Sequence, residues 1–385
     1  MSEYQYYEFQ AIDKPLTEQD MQALRELSTR AQITPTHFVN TYNWGNFRGD
    51  PDVLMKKYFD AFLYLANWGT HQFMLRIPVK LLNPEIVDQY CVGEGAAAYV
   101  KGEYLILEFE SRTEDYKDEE GEGWLSSLIS LRSDLIRGDY RCLYLAWLLS
   151  AQVGELDDDE VEPPVPPNLG QLNASLKSFA DFMRIGPDLI TVAAESSVSE
   201  DRGQEYQREL SSWISGLPDT VKNEFLLRLV AGNDPHLGAE LLQRFKQALL
   251  ANKDIQSEGN KRRTVGELLE RAKTQAEERE RRHAELKATE RARMEREKAI
   301  ARENYLADLA LHEDEAWKKV EAFIEAGRRS DYEEAVKLLV DLRDVSRKKR
   351  TVDIFEDRLQ NLCLQYSRKS SFIRLLKDAG LGGKE

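Results

Sequence analysis

The chain has 385 residues and a mass of 44.4 kDa, a length typical of two or three domains. Hydrophobic residues are 42% and charged residues 31% of the sequence, which excludes a collagen-like or wholly disordered chain. The formal net charge is −15. It lies in the first half, because residues 1–200 contain 33 acidic and 16 basic side chains, whereas residues 201–385 contain 35 and 37. Any nucleic-acid contact is therefore expected in the second half.

The first 154 residues alternate between strand and helix patterns. Residues 4–12 have the aromatic, alternating pattern of a strand, and residues 97–109 are expected to form a hairpin. The pair Asp50-Pro51 is a typical helix start, with Asp as the N-cap and Pro in the first helical position. Residues 1–154 are therefore predicted to be an α+β head domain, with an antiparallel sheet covered by helices.

Residues 155–170 have the composition of an acidic, proline-rich linker. Six carboxylates lie within residues 155–162, and four prolines lie within residues 163–167. Carboxylates repel one another, and proline cannot donate a backbone hydrogen bond. This segment is expected to be extended and exposed.

The second half is predicted to be mainly α-helical. A small helical bundle is expected over residues 171–258, a long charged helical arm over 262–310, and a helical hairpin domain over 311–385. A capping box, Thr264 to Glu267, begins the arm. The arm has few Leu, Ile or Val residues, so a solvated single helix is favoured, and a coiled coil remains the alternative.

The sequence contains no motif that indicates a reaction. Phosphate-binding GxxxxGK[ST], dinucleotide-binding GxGxxG, and the HExxH, CxxC and GxSxG motifs do not occur. Cys91, Cys142 and Cys363 are odd in number and lie in apolar surroundings, as expected for reduced core thiols of a cytoplasmic protein. No signal peptide or membrane-spanning segment is predicted. We assign no catalytic residue, cofactor or metal ligand.

The tripeptide Asn-Trp-Gly occurs twice, at residues 43–45 and 67–69. A tryptophan in a glycine-containing turn can close the core, or it can offer an aromatic surface to a partner. The candidate partner-binding residues are Trp44, Phe47, Arg48 and Trp68.

Two basic clusters are candidates for nucleic-acid binding. Clustered Lys and Arg also suit the C-terminal end of a helix, and the surrounding helices are rich in carboxylates. The clusters consist of Lys261, Arg262 and Arg263, and of Arg347, Lys348, Lys349 and Arg350.

Four segments resemble a family of uncharacterised bacterial proteins: YYEFQAIDKPLT, RTVGELLERA, EEAVKLLVDLRD and SFIRLLKDAGL. The resemblance covers nearly the whole chain. It implies no activity and no catalytic residues. It implies a protein partner, because members of the family are encoded near SWIM-type zinc-finger proteins.

The sequence therefore predicts a non-enzymatic intracellular interaction or scaffold protein that acts through protein partners. The alternative is a nucleic-acid-associated accessory factor that uses the basic helical arm. A third hypothesis is an enzyme of unfamiliar type, with a site in the head domain near Trp44 and Trp68.

Overall fold

The fold is that of a computed structural model, which describes residues 3–114, 119–199, 203–232, 236–253 and 262–381. The chain divides into two compact units, residues 1–279 and residues 280–385. The predicted fold class is confirmed, because an N-terminal antiparallel sheet is followed by a mostly helical half that contains one long helix.

The strands of the first unit form one antiparallel sheet. They are β1 (Gln5–Gln10), β2 (Gln32–Ile33), β3 (His37–Tyr42), β4 (Ala61–Ala66), β5 (Thr70–Pro78), β6 (Ala96–Lys101) and β7 (Tyr104–Arg112). Their order across the sheet is β2-β3-β1-β4-β5-β7-β6. The predicted hairpin is β6 and β7, which turn at Gly102, where φ is +65°.

Helices accompany the sheet and follow it along the chain. The helices of the first unit are α1 (Glu18–Leu27), α2 (Pro51–Lys57), α3 (Pro84–Val87), α4 (Trp124–Leu128), α5 (Ser130–Ile136), α6 (Arg141–Gln152), α7 (Ala174–Phe182), α8 (Pro187–Ala194), α9 (Gly203–Gly216), α10 (Asp219–Ala231) and α11 (Leu237–Lys253). Val79–Leu81 forms a short 3-10 helix. The predicted Asp50 cap is present, since its carboxylate accepts from the amide of Asp52 at 2.9 Å.

Each face of the sheet has its own apolar core, because successive side chains of a strand point to opposite faces. On one face, Leu63 and Phe73 are fully buried in a core to which α4 to α8 contribute. On the other face, Phe9 and Phe62 stack with ring centroids 4.4 Å apart, in a core to which α1 and α2 contribute.

The acidic, proline-rich segment 155–170 differs from the exposed linker that its composition predicts. Glu162 is 2% exposed, and Leu156 and Leu169 lie in the same core as the sheet and helices α4 to α8. The predicted exposure holds for the carboxylates at positions 155 and 157–160 and fails for Glu162, which pairs with the half-buried Arg263 at 2.7 Å. A pairing between residues so far apart in sequence leaves no local pattern.

Helix α12 extends over Val265–Leu311. The predicted capping box is present, since the amide of Glu267 donates to Oγ1 of Thr264 at 3.3 Å and the amide of Thr264 donates to the Glu267 carboxylate at 3.1 Å. Val265 is fully buried in the core of the first unit. Residues 281–304 are exposed on every side of the helix.

The second unit has a core of its own. Its further helices are α13 (Glu313–Ala326), α14 (Arg329–Lys349), α15 (Val352–Gln365) and α16 (Ser370–Asp378). Trp317 and Phe372 are almost fully buried there. The carboxylate of Asp341 in α14 lies 2.6 Å from the guanidinium of Arg302 and accepts from the hydroxyl of Tyr305 at 2.9 Å. These contacts fix the end of α12 against α14.

Candidate functional site

The two Asn-Trp-Gly segments emerge at the same edge of the sheet. Strands β3 and β4 both pair with β1, and Gln5 lies opposite Tyr42 on one side and opposite Ala66 on the other. Each tripeptide begins directly after these residues. Because neighbouring strands are about 4.8 Å apart, the two strand ends lie about 10 Å from each other. We call the loops 43–45 and 67–69 the tryptophan edge.

Buried polar groups hold the backbone of the tryptophan edge. The side-chain amide of Gln5, which is 2% exposed, donates to the carbonyl of Gly45 at 2.9 Å. The backbone amide of Tyr4 donates to Oδ1 of Asn67 at 3.1 Å, and the amide of Asn67 donates back to the Tyr4 carbonyl at 3.0 Å. The repeated glycine is required in both loops, since φ is +79° at Gly45 and +97° at Gly69.

The second loop is also held by Arg184. Its guanidinium donates to the carbonyl of Gly69 at 2.7 Å and lies 2.8 Å from Nε2 of His71. Nδ1 of the same imidazole lies 2.7 Å from the carbonyl of Phe182. The arrangement requires a proton on Nδ1 and a lone pair on Nε2, because guanidinium can only donate and a carbonyl can only accept. His71 therefore holds the Arg184 guanidinium against the second loop.

The four candidate partner-binding residues divide into two kinds. Trp44 is 70% and Trp68 is 42% exposed, and Arg48 is exposed as well. Phe47 instead packs inward, with its ring centroid 5.1 Å from that of Tyr7. The tryptophans are therefore surface groups in this structure, whereas Phe47 anchors the chain that follows the first loop.

The basic cluster at the start of α12 includes a structural residue. Lys261 lies outside the described residues, and Arg262 is exposed. Arg263 forms two hydrogen bonds to the buried carboxylate of Glu162 and donates to the carbonyl of Val192 at 2.7 Å. Its guanidinium is therefore engaged within the first unit.

The basic cluster at residues 347–350 is exposed, and two of its members contact carboxylates. Nζ of Lys348 lies 3.6 Å from Glu303, and Nζ of Lys349 lies 2.9 Å from Glu313. These ion pairs reduce the positive charge that the cluster presents. The hypothesis of a nucleic-acid-associated factor stays a prediction.

A second candidate site, which sequence reasoning missed, is built on a buried ion pair. Asp60, directly before β4, is 0% exposed, and Arg76 in β5 is 8% exposed. Oδ1 of Asp60 accepts from Nη2 and Nε of Arg76 at 2.8 and 3.1 Å. Oδ2 accepts from the backbone amides of Ile12 and Asp13 at 2.7 and 2.9 Å. Both carboxylate oxygens are thus hydrogen-bonded, as a buried charge requires.

Arg132 in α5 extends this network to Asp13. Its Nη2 lies 2.7 Å from Oδ2 of Asp13 and 3.9 Å from Oδ1 of Asp60. Oδ1 of Asp13 lies 3.1 Å from Nε2 of His236, directly before α11. The carboxylate of Asp13 is therefore held between a guanidinium and an imidazole.

Two cavities meet at Asp13 and His236. The larger has a volume of about 910 Å³, and Tyr104 lines its wall. The smaller has a volume of about 480 Å³, and Arg132 lines it. Neither is lined by Trp44 or Trp68. The hypothesis of an enzyme site near the tryptophans stays a prediction.

The sequence does carry a signal for this second site. Asp60 and Arg76 each interrupt an apolar run, in FDAF and MLRIP. A charged residue inside a buried apolar run needs a partner. The identity of that partner depends on strand order, which the sequence alone does not define.

The cysteines lack the properties of nucleophiles. Burial raises the pKa of the Cys91 thiol to about 12 and that of the fully buried Cys142 thiol well above its ordinary value. Burial also raises the pKa of Cys363. The thiolate is the reactive form, so none of the three is activated at neutral pH.

In comparisons with protein-family models, with curated proteins and with solved structures, nothing matches this chain. The resemblance to an uncharacterised bacterial family and its link to SWIM-type zinc-finger proteins therefore stay expectations. Among the helices that the structure describes, none combines the length and apolar character needed to cross a bilayer. Within the same residues, no three His, Cys, Asp or Glu side chains are grouped as metal ligands.

Proposed function

We propose that this chain is a non-enzymatic interaction protein that binds a protein partner through the tryptophan edge. The observation that carries the proposal is the exposure of Trp44 and Trp68, at 70% and 42%, on loops that leave the sheet at one edge. Tryptophan is enriched among the residues that dominate binding energy at protein interfaces. Two exposed tryptophans on loops at the same edge of the sheet are therefore a better indication of a binding surface than scattered apolar residues.

The support beneath the loops favours binding. Gln5, Asn67 and Arg184 fix the loop backbones through hydrogen bonds of 2.7 to 3.1 Å. A surface that is already ordered loses little conformational entropy on association. The indole rings can then enter apolar pockets of a partner without rearrangement of the loops.

The expected partner is a folded protein with apolar pockets and a hydrogen-bond acceptor for each indole N–H. Arg30 lies over the ring of Trp44, 5.9 Å from its centroid, so one indole face is already covered. The opposite face and the ring edge remain for the partner. The three free cysteines fit a partner in a reducing intracellular compartment.

The experiment compares partner capture by two double variants of the full-length protein. Trp44→Ala with Trp68→Ala removes both indole rings from the tryptophan edge. Leu227→Ala with Val230→Ala on α10 removes two apolar side chains that are 72% and 86% exposed and serves as the matched control. Proteins captured from the native host are quantified by mass spectrometry, and the leading partner is then purified and titrated.

We expect the tryptophan variant to bind the purified partner roughly 30-fold or more weakly, as for the loss of two hot-spot residues. The control should stay within about twofold of the wild type. A partner that is retained by the tryptophan variant and lost by the α10 variant would move the binding surface to α10 and overturn the proposal.

A further inference from the structure

We propose that the two cavities that meet at Asp13 and His236 form a binding site for a small phosphate-bearing molecule. The site is separate from the tryptophan edge, and its volumes of about 910 and 480 Å³ suit a small ligand. It would add a ligand-dependent function to a protein-binding protein.

The charge of the lining indicates the chemistry of the ligand. Residues 1–200 contain about twice as many acidic as basic side chains. Among the residues that the structure describes, the cavities reverse this ratio, since five cationic side chains and two carboxylates line them, in addition to His236. Two of the cations are also ion-paired, Arg132 with Asp13 at 2.7 Å and Arg228 with Glu240 at 2.6 Å. The cations are Lys14, Lys80, Arg132, Arg137 and Arg228, and the carboxylates are Asp13 and Glu103. A local excess of positive charge in an acidic protein attracts an anion.

Buried partners hold the floor of the site in place. Arg132 is 4% exposed, and its Nε donates to the carbonyl of Arg76 at 2.8 Å. The Asp60–Arg76 pair beneath it is itself buried and fully hydrogen-bonded. The guanidinium of Arg132 is thus fixed before a ligand arrives, and a phosphate would share it with the carboxylate of Asp13, which lies 2.7 Å from its Nη2.

Phosphate suits this set of cations better than a single carboxylate does. Lysine binds phosphate as a point charge and arginine binds it through paired N–H groups, and both types line the cavities. Tyr104 adds an aromatic wall to the larger cavity, with Arg76 4.5 Å from its ring centroid. A phosphate group with an attached organic portion would use both the cations and this wall.

The test is calorimetric titration of the full-length protein with ATP and, separately, with pyrophosphate, in the absence of divalent cations. Lys14→Ala with Arg137→Ala removes two exposed cations from the lining. Lys318→Ala with Lys319→Ala on α13 removes the same charge from an exposed surface of the second unit. Circular dichroism melts verify that all variants are folded.

We expect saturable binding at one site, at least tenfold weaker in the Lys14/Arg137 variant and unchanged within about twofold in the control, since only the first variant removes two positive charges from the lining. Absence of binding for both probes would overturn the proposal. So would equal weakening in the two double variants, which indicates unspecific attraction. Tighter binding of citrate than of both probes would reject phosphate as the recognised group.

Discussion

The guanidinium of Arg263 forms two hydrogen bonds, of 2.7 and 2.9 Å, to the carboxylate of Glu162. The same carboxylate accepts a hydrogen bond from the hydroxyl of Tyr144 in α6. A bridge between Val161 and Thr264 lies beside the pair. The start of α12 is thereby attached to the acidic segment and to the core of the first unit.

Arg263→Ala should lower the free energy of unfolding by about 3 kcal/mol, because it leaves a buried carboxylate without its countercharge. Glu162 has a side-chain exposure of 3%. Arg262→Ala is the matched control, since the neighbouring arginine is exposed and its loss should cost less than about 0.5 kcal/mol. Urea denaturation of both variants measures the difference. Equal effects would contradict the structural role of Arg263.

Residues 1–154 alone should fail to fold cooperatively, whereas residues 1–279 should fold. The core beside the sheet includes Leu169 and Phe179 from beyond residue 154, and both are fully buried. A truncated chain would expose the apolar surface that they cover. Thermal melts followed by circular dichroism compare the two fragments. A soluble 1–154 fragment with a sharp transition would restore residues 155–170 as a domain boundary.

Local signals predicted much of the fold. The Asp50-Pro51 start and the hairpin of β6 and β7 rest on short-range chemistry, and both are present. Within residues 155–170, the predicted exposure fails at Glu162 for a clear reason. A run of carboxylates indicates solvent exposure only while each of them lacks a partner, and the partner of Glu162 is 101 residues away.

The candidate site was predictable in part. The repeated Asn-Trp-Gly drew attention to Trp44 and Trp68, but their common edge follows from strand order, in which β3 and β4 flank β1. The cavity site depends on Asp13 and His236, which only tertiary packing brings to 3.1 Å. No periodicity in a single sequence encodes such a contact.

Phe47→Ala and Trp44→Ala should differ in their effect on stability. Phe47 packs against Tyr7 and Phe38, at centroid distances of 5.1 and 5.7 Å, so its truncation should cost about 2 kcal/mol. Trp44 is 70% exposed, and its truncation should change stability by less than about 0.5 kcal/mol. Chemical denaturation gives both values. A large loss for Trp44→Ala would mean that the indole closes the core.

Glu108→Gln should make stability less dependent on pH. Burial raises the pKa of Glu108 above the ordinary carboxyl value, and the nearby Asp52 and Glu110 add to the increase, while the hydrogen bond from Gln72 opposes it. The folded state therefore binds a proton more tightly than the unfolded state does. Stability contributed by this proton is lost as pH rises through the raised pKa.

At pH 7 the free energy of unfolding of the Glu108→Gln variant should be about 0.5 kcal/mol higher than that of the wild type. The gain in stability is small because the carboxyl is only partly buried. Denaturation between pH 4 and pH 8 measures the slope. Glu26→Gln, at an exposed position of α1, is the control. A parallel pH profile for the Glu108 and Glu26 variants would argue against this assignment.

A peptide of residues 265–311 should be helical and monomeric. Leu286 and Ile300 are 68% and 59% exposed, and no continuous apolar seam joins them along the described helix. Charge pairs such as Arg293–Glu297, at 3.3 Å, contribute a few tenths of a kcal/mol each. Helicity should be independent of peptide concentration and should fall with added salt. A tight dimer in sedimentation would establish the coiled coil instead.

The bridge between Val161 and Thr264 joins the two ends of the chain segment that contains α7 to α11. This segment is therefore a closed loop. The folded state has already lost the conformational entropy that bringing its two ends together costs. A single proteolytic cut between α9 and α10, where Gly216 and Pro218 are exposed, would open the covalent chain without releasing either end. The two fragments should co-elute on a native column and separate only in denaturant.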